Sequence, residues 1–152
     1  MLEMEEPMAE QPLVVVVTGL AGAGRSTAAK VLEDLGFFVI DNLPPKLIGR
    51  AAEHSDVAEF ARSKLAVVVD SRSGILTFSE LEEEILRLER GGVRTLTVFL
   101  DADDRELVKR YQENRRPHPV EADTLEESIA PDRKLLSDVR GNADVLIDTS
   151  EL

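Results

Sequence analysis

Cysteine is absent from this chain of 152 residues, and histidine occurs only twice, at His54 and His118. Without thiols there is no disulfide framework, no thiolate metal site and no cysteine nucleophile. Two histidines so far apart also argue against a zinc centre. No apolar run approaches the length needed to span a membrane. Residues 1–12 carry acidic side chains where a secretory signal would carry basic ones, and they read as a disordered tail on a cytoplasmic protein. Positive charge is scarce too: 18 Lys and Arg against 30 Asp and Glu leave a formal net charge of −12. Such a chain repels nucleic acid and anionic membrane, so direct nucleic-acid binding is not expected of it, and any polyanion must be held locally.

What is present is a globular composition, 43% apolar and 32% charged, which suits one domain over residues 13–152. Its organising stretch is Thr18-Gly19-Leu20-Ala21-Gly22-Ala23-Gly24-Arg25-Ser26-Thr27. An apolar run with four valines precedes it, the mark of a strand buried on both faces of a parallel sheet. After it, Ala28, Val31, Leu32 and Leu35 recur at helical spacing, and Gly36 supplies a stop. Strand, glycine loop and helix in that order match the phosphate-binding loop, in which successive backbone N–H groups face a polyphosphate. Gly19, Gly24 and Ser26 fit the template, whereas Arg25 stands where lysine is expected.

Further strands are expected over residues 37–40, 65–69, 93–100 and 143–148, with helices between them. Alternation of this kind implies right-handed crossovers and an α/β fold: a five-stranded parallel sheet with helices on both faces, of the kinase-like P-loop NTPase class. Thr77 with Glu80, and Ser79 with Glu82, form capping signatures, and Glu82, Glu83 and Glu84 read as a solvated helix face. Pro131 is expected to kink or split the last helix, and Gly141 to stop it.

Asp70 closes an apolar strand, the Walker B pattern, and with Ser26 is the candidate magnesium ligand; Ser71, Arg72 and Ser73 add polar groups at the same edge. Asp101 is the competing carboxylate, although it and Asp103 directly precede a helix they can cap. Asp41, at another strand end, can touch a ligand or cap a helix. The one strong basic cluster runs through Lys109, Arg110, Arg115 and Arg116 into Pro117-His118-Pro119. Arg115 and Arg116 are candidates for a lid that neutralises charge during phosphoryl transfer, against salt bridges to the abundant carboxylates.

Read together, VVVVTGLAGAGRSTAAKVLEDLGFFVIDNLPPKLI, AVVVDSRS, VFLDADDRELVKRYQENRRPHPV and ADVLIDTSEL resemble the N-terminal P-loop domain of the RapZ family of RNase adapter proteins, also described as YvcJ-like nucleotide-binding proteins. The likeness covers nearly all of residues 13–152. It implies a domain that binds ATP and GTP and hydrolyses them slowly, with residues 19–26 as the ATP loop and Asp70, Ser71, Arg72 and Ser73 as a GTP-binding stretch. In that family a separate C-terminal domain carries regulatory-RNA and amino-sugar-phosphate binding, and this chain ends before it. Many members have lysine at the position of Arg25. Arginine is a longer planar fork, so binding should survive the exchange better than turnover.

The expected function is therefore a magnesium-dependent, weak ATPase and GTPase serving regulation, with Arg25, Asp70, Arg115 and Arg116 as catalytic candidates and a homo-oligomer left open. Two alternatives stand beside it. One is a small-molecule or nucleoside-monophosphate kinase with Asp41 at the acceptor, the other a nucleotide sensor in which Arg25 has abolished hydrolysis.

Overall fold

The computed structural model describes residues 13–20, 22–53, 64–69, 75–114 and 125–150. In chain order these form β1 (Leu13–Gly19), α1 (Arg25–Asp34), β2 (Phe38–Asp41), a 3-10 turn (Pro45–Leu47), α2 (Ile48–Glu53), β3 (Lys64–Val68), α3 (Ile75–Arg90), β4 (Arg94–Asp101), α4 (Asp104–Asn114), α5 (Leu125–Asn142) and β5 (Val145–Asp148). The strands build one sheet in the order β2-β3-β1-β4-β5, and every neighbouring pair is parallel. The α/β fold expected from the sequence is therefore the one observed.

Val14, Val15, Val16 and Val17 of β1 are all buried, because β1 is the central strand and is covered on both faces. The step from β1 to β2 runs one way along the sheet and the later steps run the other way. Right-handed crossovers then place α1 on one face and α2 to α5 on the opposite one. Packing agrees: α1 rests on β1, β2 and β3, whereas α3 packs against the 3-10 turn, α2 and α5, and α4 packs against α5. β1 thus lies at the point where the connections diverge, the place where open parallel sheets bind ligands.

The edge strands are less covered than their apolar sequences imply. Phe38 of β2 and Val145, Leu146 and Ile147 of β5 are exposed. The helix α3 begins at Ile75, so Thr77 and Ser79 fall inside it instead of capping it. Glu84 is a second correction: it is 5% exposed, not solvated. Here α2 crosses α3 so closely that a Cβ on Gly49 would lie 3.5 Å from Glu84 Oε2, while Arg87, one turn along, pairs with the carboxylate at 3.5 Å.

Pro131 does not split α5, which runs through it and past Gly141 to Asn142. An interior proline costs about 3 kcal/mol, but this helix is anchored on both sides of it. Ile129 lies buried before Pro131, Leu136 and Val139 lie buried after it, and Arg133 and Arg140 bind Asp101 at the end of β4.

Candidate functional site

The loop leaving β1 is shaped by what its glycines allow. Gly19 has φ 151°, and an added Cβ would sit 2.2 Å from the Leu100 carbonyl oxygen and 2.9 Å from the Leu100 nitrogen. A side chain has no room there, so the loop starts flush against β4, with Leu20 N–H donating to the Leu100 carbonyl at 3.3 Å. Ala23 N–H then closes a turn on the Leu20 carbonyl at 3.0 Å. Gly24, at φ 109° and ψ 23°, swings the chain into α1 through the left-handed region that other residues rarely adopt.

The N-terminus of α1 differs from that of α4. Its first turn carries no acidic residue, and Gly24 provides no capping side chain. At α4, by contrast, Asp103 Oδ1 accepts the Glu106 N–H at 2.8 Å, and Asp104 and Glu106 fill the first turn. A helix start with forward-pointing N–H groups, the positive end of the helix dipole and no internal carboxylate is suited to an outside anion. Ser26 and Thr27 are exposed at this turn.

Arg25 reaches across to β3, its Nη1 lying 3.4 Å from the Val69 carbonyl. The buried hydroxyl of Thr18 donates to the same oxygen at 3.0 Å, and Val69 N–H donates to the Val17 carbonyl at 2.9 Å. The end of β3 is thereby bound to the end of β1. Asp70, Ser71, Arg72 and Ser73, which follow directly, lie outside the described residues, as do Ala21, Arg115, Arg116, His54 and His118.

Behind the loop stand two residues that sequence reasoning did not select, Arg110 of α4 and Thr149 beyond β5. Thr149 is buried; its Oγ1 donates to the Ala23 carbonyl at 2.8 Å and accepts from Arg110 Nη1 at 3.0 Å. Arg110 Nη1 also donates to the Gly22 carbonyl at 3.1 Å, Nη2 donates to the Thr149 carbonyl, and Nε donates to Glu106 Oε2 at 3.1 Å. Arg110 was legible as part of the basic cluster, and Thr149 as the residue leaving a strand on the ligand-binding edge. Their convergence spans the chain and was not legible.

Asp101 is occupied. Its Oδ1 accepts from Arg133 Nη1 at 3.0 Å and from Ala102 N–H at 2.7 Å, and its Oδ2 accepts from Arg140 Nε at 3.1 Å. Arg133 also binds Asp104 at 2.7 Å. Burial works against the Arg133 charge, but the hydrogen bonds it donates to Asp104 and Asp101 outweigh it and raise its pKa. With both oxygens engaged, Asp101 fastens α5 to β4 and is a poor magnesium ligand. Among the described residues no group of three or more His, Cys, Asp or Glu could hold a metal. Magnesium needs few protein oxygens when phosphates and water complete its shell; of the two candidate ligands only Ser26 lies among the described residues, its hydroxyl exposed at the start of α1. None of the described helices is long and apolar enough to cross a membrane.

The chain is similar to known proteins over most of its length. The chain is 47% identical over 142 residues to a nucleotide-binding protein of Streptomyces coelicolor, covering 93% of this chain and 47% of that one. It is 51% identical over 140 residues to a nucleotide-binding protein of Mycobacteroides abscessus, covering 91% and 46%. The chain thus spans about half the length of these curated relatives. Among solved structures it resembles shikimate kinase from Bacteroides thetaiotaomicron (TM-score 0.60, 20% identity, 92% of this chain and 88% of that one). It likewise resembles a gluconokinase from Sinorhizobium meliloti (TM-score 0.55, 22% identity, 93% and 85%), and at such identities the likeness shows the P-loop kinase fold alone. Residues 13–152 match the family described as the RapZ-like N-terminal domain, and the chain belongs to it.

Proposed function

We propose that residues 13–152 form a magnesium-dependent regulatory domain that binds ATP and GTP and hydrolyses them slowly. The observation that carries this reading is the acid-free start of α1, entered through left-handed Gly24 at the divergence point of the parallel sheet. In this reading residues 19–27 cradle the polyphosphate, the Arg25 guanidinium exchanges the Val69 carbonyl for phosphate oxygens, and Asp70, Ser71, Arg72 and Ser73 serve the GTP-binding role that the family resemblance implies. Ser26 and Asp70 would hold the magnesium, which when bound would neutralise negative charge on the phosphates. Arg115 and Arg116 close over the transferring group. The sequence offers no evident general base, so acceleration rests on positioning and charge stabilisation, which suits slow hydrolysis. Direct nucleic-acid contact is not part of this reading, since the chain carries a net charge of −12.

Calorimetric titration with non-hydrolysable ATP and GTP analogues, with and without magnesium, tests the reading. Binding should require magnesium and weaken at least ten-fold in Arg25→Ala, the scale of one charge-assisted phosphate contact. Absence of binding by either nucleotide would overturn it. A kinase reading gains support from Asp41, exposed at the end of β2 on the same sheet edge. Nucleotide consumption that rises many-fold with one hydroxylated acceptor would put that reading in place of regulation.

A further inference from the structure

The phosphate loop is conformationally underdetermined by its own sequence. Gly22 and Gly24 both have positive φ, 86° and 109°, and both flank Ala23. Glycine populates either sign of φ almost equally, so a peptide next to glycine can rotate about its axis at little local cost. In a planar trans peptide the C=O of one residue and the N–H of the next point in opposite directions. Rotation of the Ala23–Gly24 peptide would therefore replace an N–H donor in the cradle by a carbonyl oxygen, turning attraction for an anion into repulsion.

The Gly22–Ala23 peptide is held in part within the loop, by the Ala23 N–H on the Leu20 carbonyl at 3.0 Å, whereas what opposes rotation of the Ala23–Gly24 peptide comes from outside it. Thr149 Oγ1 donates to the Ala23 carbonyl at 2.8 Å, and Arg110 Nη1 donates to the Gly22 carbonyl at 3.1 Å. These two grips are joined to each other, since Arg110 Nη1 also donates to Thr149 Oγ1 at 3.0 Å. They are also anchored: Thr149 N–H donates to the Asp101 carbonyl at 2.8 Å and Arg110 Nε to Glu106 at 3.1 Å. Thr149 is buried, so water does not compete freely for the Ala23 carbonyl.

We propose that Thr149 and Arg110 are positioning residues for the phosphate loop: Thr149 holds the Ala23 carbonyl backward so that the Gly24 N–H stays turned toward a bound phosphate, and Arg110 braces Thr149 and the neighbouring Gly22 carbonyl. The inference rests on the nucleotide reading above but has its own readout. Because Thr149 immediately follows β5, the latch also joins the exit of the last strand to the loop leaving the first. A displacement of the chain at Thr149 would act on the phosphate loop through the Thr149 hydroxyl and through Arg110.

The test compares Thr149→Val, which keeps the shape and removes the hydroxyl, with Thr149→Ser, which restores it, and with Arg110→Lys, which replaces the fork by a single point charge. Two quantities are measured on each folded protein: amide hydrogen exchange at residues 22–26 without ligand, and affinity for magnesium tripolyphosphate and magnesium ATP. Thermal melts establish that each variant is folded. The expected result for Thr149→Val is faster exchange at Gly24 and affinity lowered on the order of ten-fold, as for one lost hydrogen bond in a buried site. Thr149→Ser should recover both, and Arg110→Lys should fall between. Thr149→Val with unchanged Gly24 exchange and unchanged affinity would overturn the latch, and a lower melting temperature with neither readout moved would reduce Thr149 to a fold-stabilising role. If Thr149→Val does not fold, Arg110→Lys decides by the same two readouts. Failure of the unaltered chain to bind any nucleotide would instead overturn the nucleotide reading, while the exchange measurement would still decide whether the loop is held.

Discussion

Replacing Asp101 by asparagine separates two roles that one carboxylate at a strand end can play. If Asp101 fastens α5 to β4, Asp101→Asn weakens the fold and leaves any magnesium requirement of nucleotide binding intact. The amide keeps one acceptor oxygen but turns an NH₂ group toward one of the two arginines, so one charge-assisted bond is lost and the other is weakened. Hydrogen bonds to charged groups are worth about 1.5–3 kcal/mol when shielded and about 0–1 kcal/mol for exposed pairs. The side chain of Arg140 is 49% exposed, which places its bond nearer the lower range. Arg133, at 32%, keeps Asp104 at 2.7 Å. The expected loss is about 2 kcal/mol, which at about 2–4 °C per kcal/mol for a domain of this size lowers Tm by about 4–8 °C. A thermal melt followed by circular dichroism reads that shift, and nucleotide titrations with and without magnesium read the second property. An unchanged Tm combined with loss of the magnesium requirement would refute the reasoning and make Asp101 the metal ligand.

Gly19→Ala places a methyl group 2.2 Å from the Leu100 carbonyl oxygen. Because backbone, not a flexible side chain, must give way, the expected destabilisation is about 2–4 kcal/mol, read as a lower midpoint in urea unfolding. The exposed Asp148 carboxylate is held below the ordinary carboxylate range first by the Ser150 hydroxyl and then by the Ser150 N–H. A depressed folded pKa contributes stability that is complete above the unfolded value and is lost as pH falls through the folded value, so this contribution disappears only below the ordinary carboxylate range. Carbon-detected NMR titration should show Ser150→Ala moving the Asp148 midpoint upward, and an unmoved midpoint would assign the depression elsewhere.

The sequence by itself determined the class of fold and the place of the candidate site. The valine run before the glycines can satisfy its backbone and bury both faces only as a central strand of a covered parallel sheet. The left-handed turn at Gly24 and the absence of acids in the first turn of α1 are local properties, legible from neighbouring residues. Asp103 as a helix cap was legible for the same reason, since it acts on Glu106 three residues away.

Only the tertiary structure decided which side chains meet across the chain. Glu84 reads as solvated because its helix is charged, and becomes buried because α2 crosses it at Gly49. Pro131 reads as a break because local energetics disfavour it, and is carried because Arg133 and Arg140 bind Asp101 beyond it. Thr149 and Arg110 carry no local signal of reaching Ala23 and Gly22, which lie 126 and 88 residues away along the chain. Periodicity, capping and turn chemistry act over a few residues, so they specify elements and their ends. The bracing of the phosphate loop depends on the order β2-β3-β1-β4-β5, which brings the exits of β1, β4 and β5 to one edge of the sheet.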